Sequence, residues 1–249
     1  MKRKVLGIIV ISIVVLNIIN IIFNNYVNRS YDKSIPILAY HVVCDNPTDD
    51  MHVSTNNFNR QMKFLYNHHF RVLTLEELES FKKGEKSYPG KKVVITFDDG
   101  SESYYTKALP ILEKYGFAST NFIITSKINQ KGYLTDEEIK KLKENKLVRL
   151  EGHSRNLHQR ENANSEDYQL YSDDLKSNKD YQFKYYAYPF GISNDEYVKA
   201  LKDNDIKLAF KYAPSHWMNE NDDNYNIPRV PIYNSTAFYK FVLKVLIKR

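Results

Sequence analysis

Near its start the chain carries a long uncharged, mostly apolar run. Val5 to Phe23 carries no charge and is interrupted only by Gly7, Ser12, Asn17 and Asn20. As a helix rising about 1.5 Å per residue, it nearly spans a hydrocarbon core of about 30 Å. Lys2, Arg3 and Lys4 precede it, and such a basic leader stays on the inner side, which places everything beyond Tyr26 outside. The run exceeds the apolar segment of a typical signal peptide, and no small-x-small cleavage site follows. Residues 1–25 are therefore expected to be an uncleaved membrane anchor, with a cleaved and secreted form as the alternative. The polar residues 26–34 are expected to be a linker, and residues 35–249 a single domain.

From Ile35 the pattern alternates between short β-branched runs and amphipathic stretches. Strands are expected at Ile35–His41, Phe70–Leu73, Val93–Phe97, Phe117–Thr125, Leu147–Glu151, Lys184–Tyr188, Ile206–Phe210 and Ile227–Pro231. Ser54 or Thr55 starts a helix to about His68, with Phe58, Met62 and Leu65 on one face. Thr74 with Glu77, Thr135 with Glu138 and Ser193 with Glu196 form capping boxes for three more. A helix is expected over Tyr104–Tyr115, kinked or shifted by Pro110. Others are expected over Ser165–Asn178 and, amphipathic and basic, over Ala237–Arg249, the latter packed on the domain. Strand and helix alternate about seven times with short connections and no repeat. That predicts an α/β fold, a parallel (β/α) barrel, with an open doubly wound sheet as the alternative.

Composition narrows the partners. The net charge is +6, half of it supplied by the three residues of the basic leader. The remainder is spread among mixed Lys, Glu and Asp, which is a solvated surface and excludes a nucleic-acid stripe. The single Cys44 excludes an internal disulfide.

In either fold the C-terminal ends of the strands share one face, where chemistry sits. Four expected strands end in unusual residues: His41, Asp98-Asp99-Gly100, the stretch Gly152 to His158, and Tyr188-Pro189-Phe190-Gly191. Two adjacent carboxylates at the end of a buried strand cost free energy unless a cation or proton offsets them. His153 and His158, five apart, would diverge by about 140° on a helix, so they can ligate one ion only from a loop. Two imidazoles and one carboxylate make a three-ligand set with a position left for water, the catalytic form of a zinc-like site. The donor set suits zinc first, and also cobalt, nickel or iron. His52, His68, His69 and His216 lie in polar or solvated contexts and are expected to have no direct role, and Cys44 is expected to be a packed thiol. Tyr188 and Trp217 are candidates for stacking on a ligand ring, and a backbone N–H near Tyr188 is a candidate oxyanion donor, since Pro189 has none.

Thr96-Phe97-Asp98-Asp99-Gly100, followed by His153-Ser154-x-x-x-His158, resembles the polysaccharide deacetylases with a NodB-homology domain, carbohydrate esterase family four. Tyr40-His41, Ala187-Tyr188-Pro189-Phe190-Gly191 and Ile227-Pro228-Arg229 resemble its biofilm branch, the poly-β-1,6-N-acetylglucosamine N-deacetylases. The resemblance covers about Ile35 to Ile232 and implies a distorted, seven-stranded TIM-like barrel. It implies that Asp99, His153 and His158 hold a divalent metal, that Asp98 is the general base and that His41 is the general acid. It also implies an extracellular, membrane-anchored hydrolase that removes acetyl groups from an amino-sugar polymer. Peptidoglycan N-acetylglucosamine, or a non-catalytic glycan-binding role, is the alternative. The chain departs from the common pattern at Tyr185–Pro189, where the family arginine ahead of the proline is missing.

Overall fold

The computed structural model describes residues 2–214 and 216–248. Met1 and Arg249, the outer ends of the expected leader and terminal helix, lie outside the described residues.

Seven parallel strands follow one another around a closed barrel: Ile37–Tyr40, Lys92–Phe97, Ser119–Ile123, Val148–Gly152, Tyr185–Ala187, Leu208–Tyr212 and Ile227–Pro231. Each pairs with its sequence neighbours, and the seventh returns to the first through Val230↔Leu38 and Pro231↔Ala39. The barrel thus replaces the open-sheet alternative. It is uneven: the fourth and fifth strands are joined at the single register pair Gly152↔Tyr186. Arg71–Val72 adds a short parallel strand outside the closed ring, against Lys92–Val93.

Strand alternation sorts the core. Ile37, Val94, Phe122, Tyr185, Ala187, Leu208, Phe210 and Ile227 fill the barrel interior as one cluster. Leu38, Tyr40, Ile95, Phe97 and Val230 face outward and pack with Phe58, Met62 and Leu65 of the helix Thr55–Asn67 and with Phe241 and Val245 of the helix Phe238–Leu246. The terminal amphipathic helix therefore packs on the barrel, as its pattern implies.

Local signals mostly act as written. Ser54 caps its helix, and both the Thr74/Glu77 and the Thr135/Glu138 capping boxes are formed. Pro110 splits its helix into a π-turn, Tyr104–Ala108, and an α-helix, Leu109–Tyr115, because the ring removes a donor and crowds the preceding turn. The Ser193/Glu196 box does not form. Asn194 caps Asp195–Asp203 instead, and the Ser193 hydroxyl donates to Asn226 Oδ1 at 3.0 Å. The expected helix Ser165–Asn178 is confined to Tyr168–Lys176, capped by Asp167.

The linker reading is corrected. The N-terminal helix runs over Lys2–Ser30, so it passes straight through the start of the 26–34 segment. Its stretch Ile11–Ser30 is long and apolar enough to cross a membrane. Val27 and Tyr31, four apart, are both buried. The Tyr31 ring packs 4.8 Å from Trp217 and 6.1 Å from Phe70, centroid to centroid, and its hydroxyl donates to the Val245 carbonyl. Ser34–Ile35 then pair antiparallel with Met218–Asn219. A segment can be polar on average and still be ordered when its few apolar residues share a helix face.

If the end of this helix is part of the core, Tyr31→Ala costs about 3 kcal/mol or more of unfolding free energy. Tyr26→Ala, at an exposed position one turn earlier, stays within about 0.5 kcal/mol. Denaturant titration of the full chain, followed by emission of the lone Trp217, checks both.

Candidate active site

The second strand ends by turning sharply. Asp98 continues the inward-facing series Val94, Thr96 and is fully buried, while Asp99 takes a left-handed conformation, φ 72°, that aims its carboxylate away from its neighbour's. Gly100 completes the turn at φ +76°, with Ile123 packed so close that a Cβ would lie 3.2 Å from that side chain. The two adjacent acids therefore enter different environments.

Asp99 meets the histidines. Its Oδ1 lies 3.4 Å from His153 Nε2 and 3.2 Å from His158 Nε2. The three donor atoms lie within 4.8 Å of one another, the one such cluster among the described residues. Asp99 Oδ1 is buried without a hydrogen bond of good geometry, an orphaned acceptor facing two ring nitrogens. Bonds of ~2.1 Å in tetrahedral array place neighbouring ligands about 3.4 Å apart, so the set fits a zinc-like cation. His153 is pre-set for this task. Its Nδ1 donates to the Ala187 carbonyl at 2.7 Å, which leaves Nε2 bare. His158 returns to the same point because Asp174, on the helix Tyr168–Lys176, clamps the intervening loop by accepting from the N–H groups of Arg155 at 2.8 Å and Asn156 at 2.7 Å. The His158 ring rests 4.6 Å from that of Phe190.

Asp98 meets a cation supplied by the fold. Arg229, on the seventh strand and fully buried, donates through Nη1 to Oδ1 at 2.7 Å and through Nη2 to Oδ2 at 2.8 Å. Nη1 also donates to Thr96 Oγ1 at 3.1 Å, and the guanidinium lies between the rings of Phe122 and Tyr212, at 5.2 and 5.1 Å. Burial pushes the Asp98 carboxyl up. The charge of Arg229, that of His153 and the Arg229 hydrogen bonds outweigh it and hold the carboxyl at about 2. The arginine missing from Tyr185–Pro189 is thus supplied from another strand.

Sequence reasoning missed both Arg229's partnership with Asp98 and Tyr212. Tyr212 donates to Asp98 Oδ2 at 2.5 Å and lies 2.9 Å from His41 Nε2. It was hidden because the expected strand stops at Phe210, two residues short of the observed end. The signal for Arg229 was legible: a charged residue at an inward position of a buried strand requires a counter-ion. His41 sits just beyond the first strand, nearly buried, with Nε2 3.9 Å from Asp98 Oδ2.

One expectation at Tyr188 is corrected, and the candidate oxyanion donor near it is narrowed to a neighbour. Its side chain is fully buried against Tyr186 and Tyr197, with the hydroxyl on the Tyr225 carbonyl, so it cannot stack on a sugar. Its N–H is already given to the Phe210 carbonyl. Pro189 has no N–H, and Gly191 and Ile192 give theirs to Tyr188 and Pro189, which leaves Phe190 as the free donor of this stretch among the described residues. Trp217 is likewise buried behind Tyr31, with its indole N–H on the Lys244 carbonyl, far from any sugar-binding role. His52, His68, His69 and His216 stay outside the cluster.

Residues 85–209 match the family described as polysaccharide deacetylase. A Staphylococcus epidermidis protein named poly-β-1,6-N-acetyl-D-glucosamine N-deacetylase is 31% identical, over 73% of this chain and 68% of its own length. Two solved structures share the fold, each at 23% identity and a TM-score of 0.75. The deacetylase PplD of Streptococcus pyogenes in complex with acetate covers 85% of this chain and 98% of its own, and IcaB from Ammonifex degensii covers 86% and 97%. The barrel, the paired acids and the histidine loop, taken with these likenesses, make this chain a member of the polysaccharide deacetylase family and an enzyme of that class.

Proposed function

We propose that this deacetylase is metal-dependent and removes acetyl groups from poly-β-1,6-N-acetyl-D-glucosamine outside the cell, held to the membrane by its N-terminal helix. The observation that carries the reaction is the division of labour between adjacent acids: Asp99 faces two histidines, and Asp98 faces Arg229. The choice of polymer rests on the names of relatives at about 31% identity. The location rests on the apolar N-terminal helix and its basic leader.

An amide is a poor electrophile, so hydrolysis needs an activated water, a stabilised oxyanion and a protonated leaving group. Asp99, His153 and His158 would hold a divalent cation, zinc first by donor chemistry, with cobalt, nickel or iron also suited. A cation bound there supplies Lewis acidity and acidifies water. Asp98 keeps lone pairs beyond its Arg229 bonds and accepts the water proton. The Phe190 N–H donates to the developing oxyanion. His41 gives its proton to the departing amine, and acetate leaves.

Chelation should abolish acetate release, and single divalent ions added back should restore it in an order that identifies the metal. Asp98→Asn should lower release from the polymer by about 10²–10⁴-fold while keeping metal affinity; full release in that variant would sink the base assignment. Faster release from peptidoglycan than from poly-β-1,6-N-acetylglucosamine would overturn the choice of polymer. Arg229→Met leaves an uncompensated buried carboxylate, costs about 3–5 kcal/mol in denaturant titration, and moves the acidic limb of the pH–rate profile upward, because the charge that holds Asp98 down is gone.

A further inference from the structure

The Tyr212 hydroxyl stands between the two groups that divide the proton work. It is 2.5 Å from Asp98 Oδ2 and 2.9 Å from His41 Nε2, whereas His41 and Asp98 themselves are 3.9 Å apart, beyond hydrogen-bond reach. A phenol has one proton to give. Arg229 has only donors and is permanently charged, so Asp98 is the anionic acceptor of the buried pair, and the Tyr212 proton points at it. The second bond must then run the other way, with His41 Nε2 carrying a hydrogen and Tyr212 Oη accepting it. Asp98 has Arg229 to hold it in place. His41 Nε2 has no hydrogen-bond partner but Tyr212 among the described residues.

Tyr212 is itself fixed. Its ring lies under the Arg229 guanidinium, 5.1 Å from centroid to carbon. Gly191, at φ +70°, makes the room for it: a Cβ there would stand 3.0 Å from both Tyr212 N and Cδ2. Burial, then the Asp98 charge, push the Tyr212 hydroxyl well above its ordinary value, so it keeps its proton.

We infer that Tyr212 is the positioning residue for the general acid, holding His41 with a proton on Nε2 at the barrel mouth before substrate arrives. This rests on the roles of Asp98 and His41 proposed above. When the C–N bond of the tetrahedral adduct breaks, its electron pair stays on nitrogen. The Nε2–H bond breaks, the proton moves to that nitrogen, and the amine and acetate leave. His41 acts as the imidazolium and is left as the neutral imidazole with its hydrogen on Nδ1. Asp98 releases the proton it took from water, His41 takes one up at Nε2, and Tyr212 returns the ring to its starting orientation.

Two leaving groups separate this role from a structural one. A β-1,6-linked N-acetylglucosamine oligomer releases an amine and needs the acid; p-nitrophenyl acetate releases a stable anion and does not. In the full chain loaded with zinc, Tyr212→Phe is expected to lower kcat on the oligomer about 10- to 100-fold, with KM within about twofold. The ester-to-amide rate ratio then rises at least about tenfold, and zinc affinity by calorimetry is retained. His41→Ala raises the same ratio, and the double variant falls no further than His41→Ala alone. Equal loss on both substrates, no loss on the oligomer, weakened zinc binding, or a loss that adds to that of His41→Ala overturns the inference. If His41→Ala itself leaves the ratio at the parent value, the acid assignment fails first and takes the inference with it.

Discussion

The Asp98–Arg229 ion pair sits wholly inside the barrel, at its carboxyl end, with neither side chain exposed. A buried pair of this kind is a poor way to gain stability, since two apolar side chains of similar volume would serve as well or better. What it does provide is a carboxylate that stays ionised where burial alone would neutralise it. The pair also settles the question raised by two neighbouring acids. Asp98 receives its cation from the seventh strand, whereas Asp99 is turned away by a left-handed backbone and is left with an orphaned oxygen facing two imidazoles. One acid is compensated by an arginine, and the other faces two imidazoles in a donor set that could hold a metal ion. The remaining mouth residues hang from this arrangement: Arg229 is held between Phe122 and Tyr212, and Tyr212 in turn meets His41.

Strand parity carried most of the fold. Short β-branched runs alternating with capped amphipathic stretches leave few topologies open, and the two capping boxes that formed mark helix starts where the sequence places them. Asp99, His153 and His158 were legible because two acids at a strand end and two histidines in a polar loop have no packing rationale. Their convergence depends on Asp174, a residue whose role as a loop clamp has no local signature. Tyr212 escaped through a strand end placed two residues early, and one tyrosine among 20 attracts no notice. The aromatic expectations at Tyr188 and Trp217 failed for the opposite reason. A large amphipathic ring near a rim residue in sequence is as readily core as surface, and only the packing decides.

The mouth is drawn from separate parts of the chain. The stretch that matches the family, residues 85–209, contains both acids and both histidines. His41, Tyr212 and Arg229 all fall outside it and arrive through the first, sixth and seventh strands. Closure of the ring, seventh strand onto first, is therefore what brings His41, Tyr212 and Arg229 to one place beside Asp98. An open sheet with the same strands would leave them at opposite edges.

The docking of Tyr31 also fixes a direction. It packs on Phe70 and within 5.7 Å of Lys92 Nζ, at the amino-terminal entrance of the second strand, whereas Asp98 lies past that strand's other end. Six residues of extended chain separate the two levels by about 20 Å. Because Val27 and Tyr31 are packed into the core, the chain enters the barrel at the end opposite the one that carries the acids. The two ends of the barrel are thereby given separate duties: one seats the incoming chain, and the other gathers the acids and the histidines.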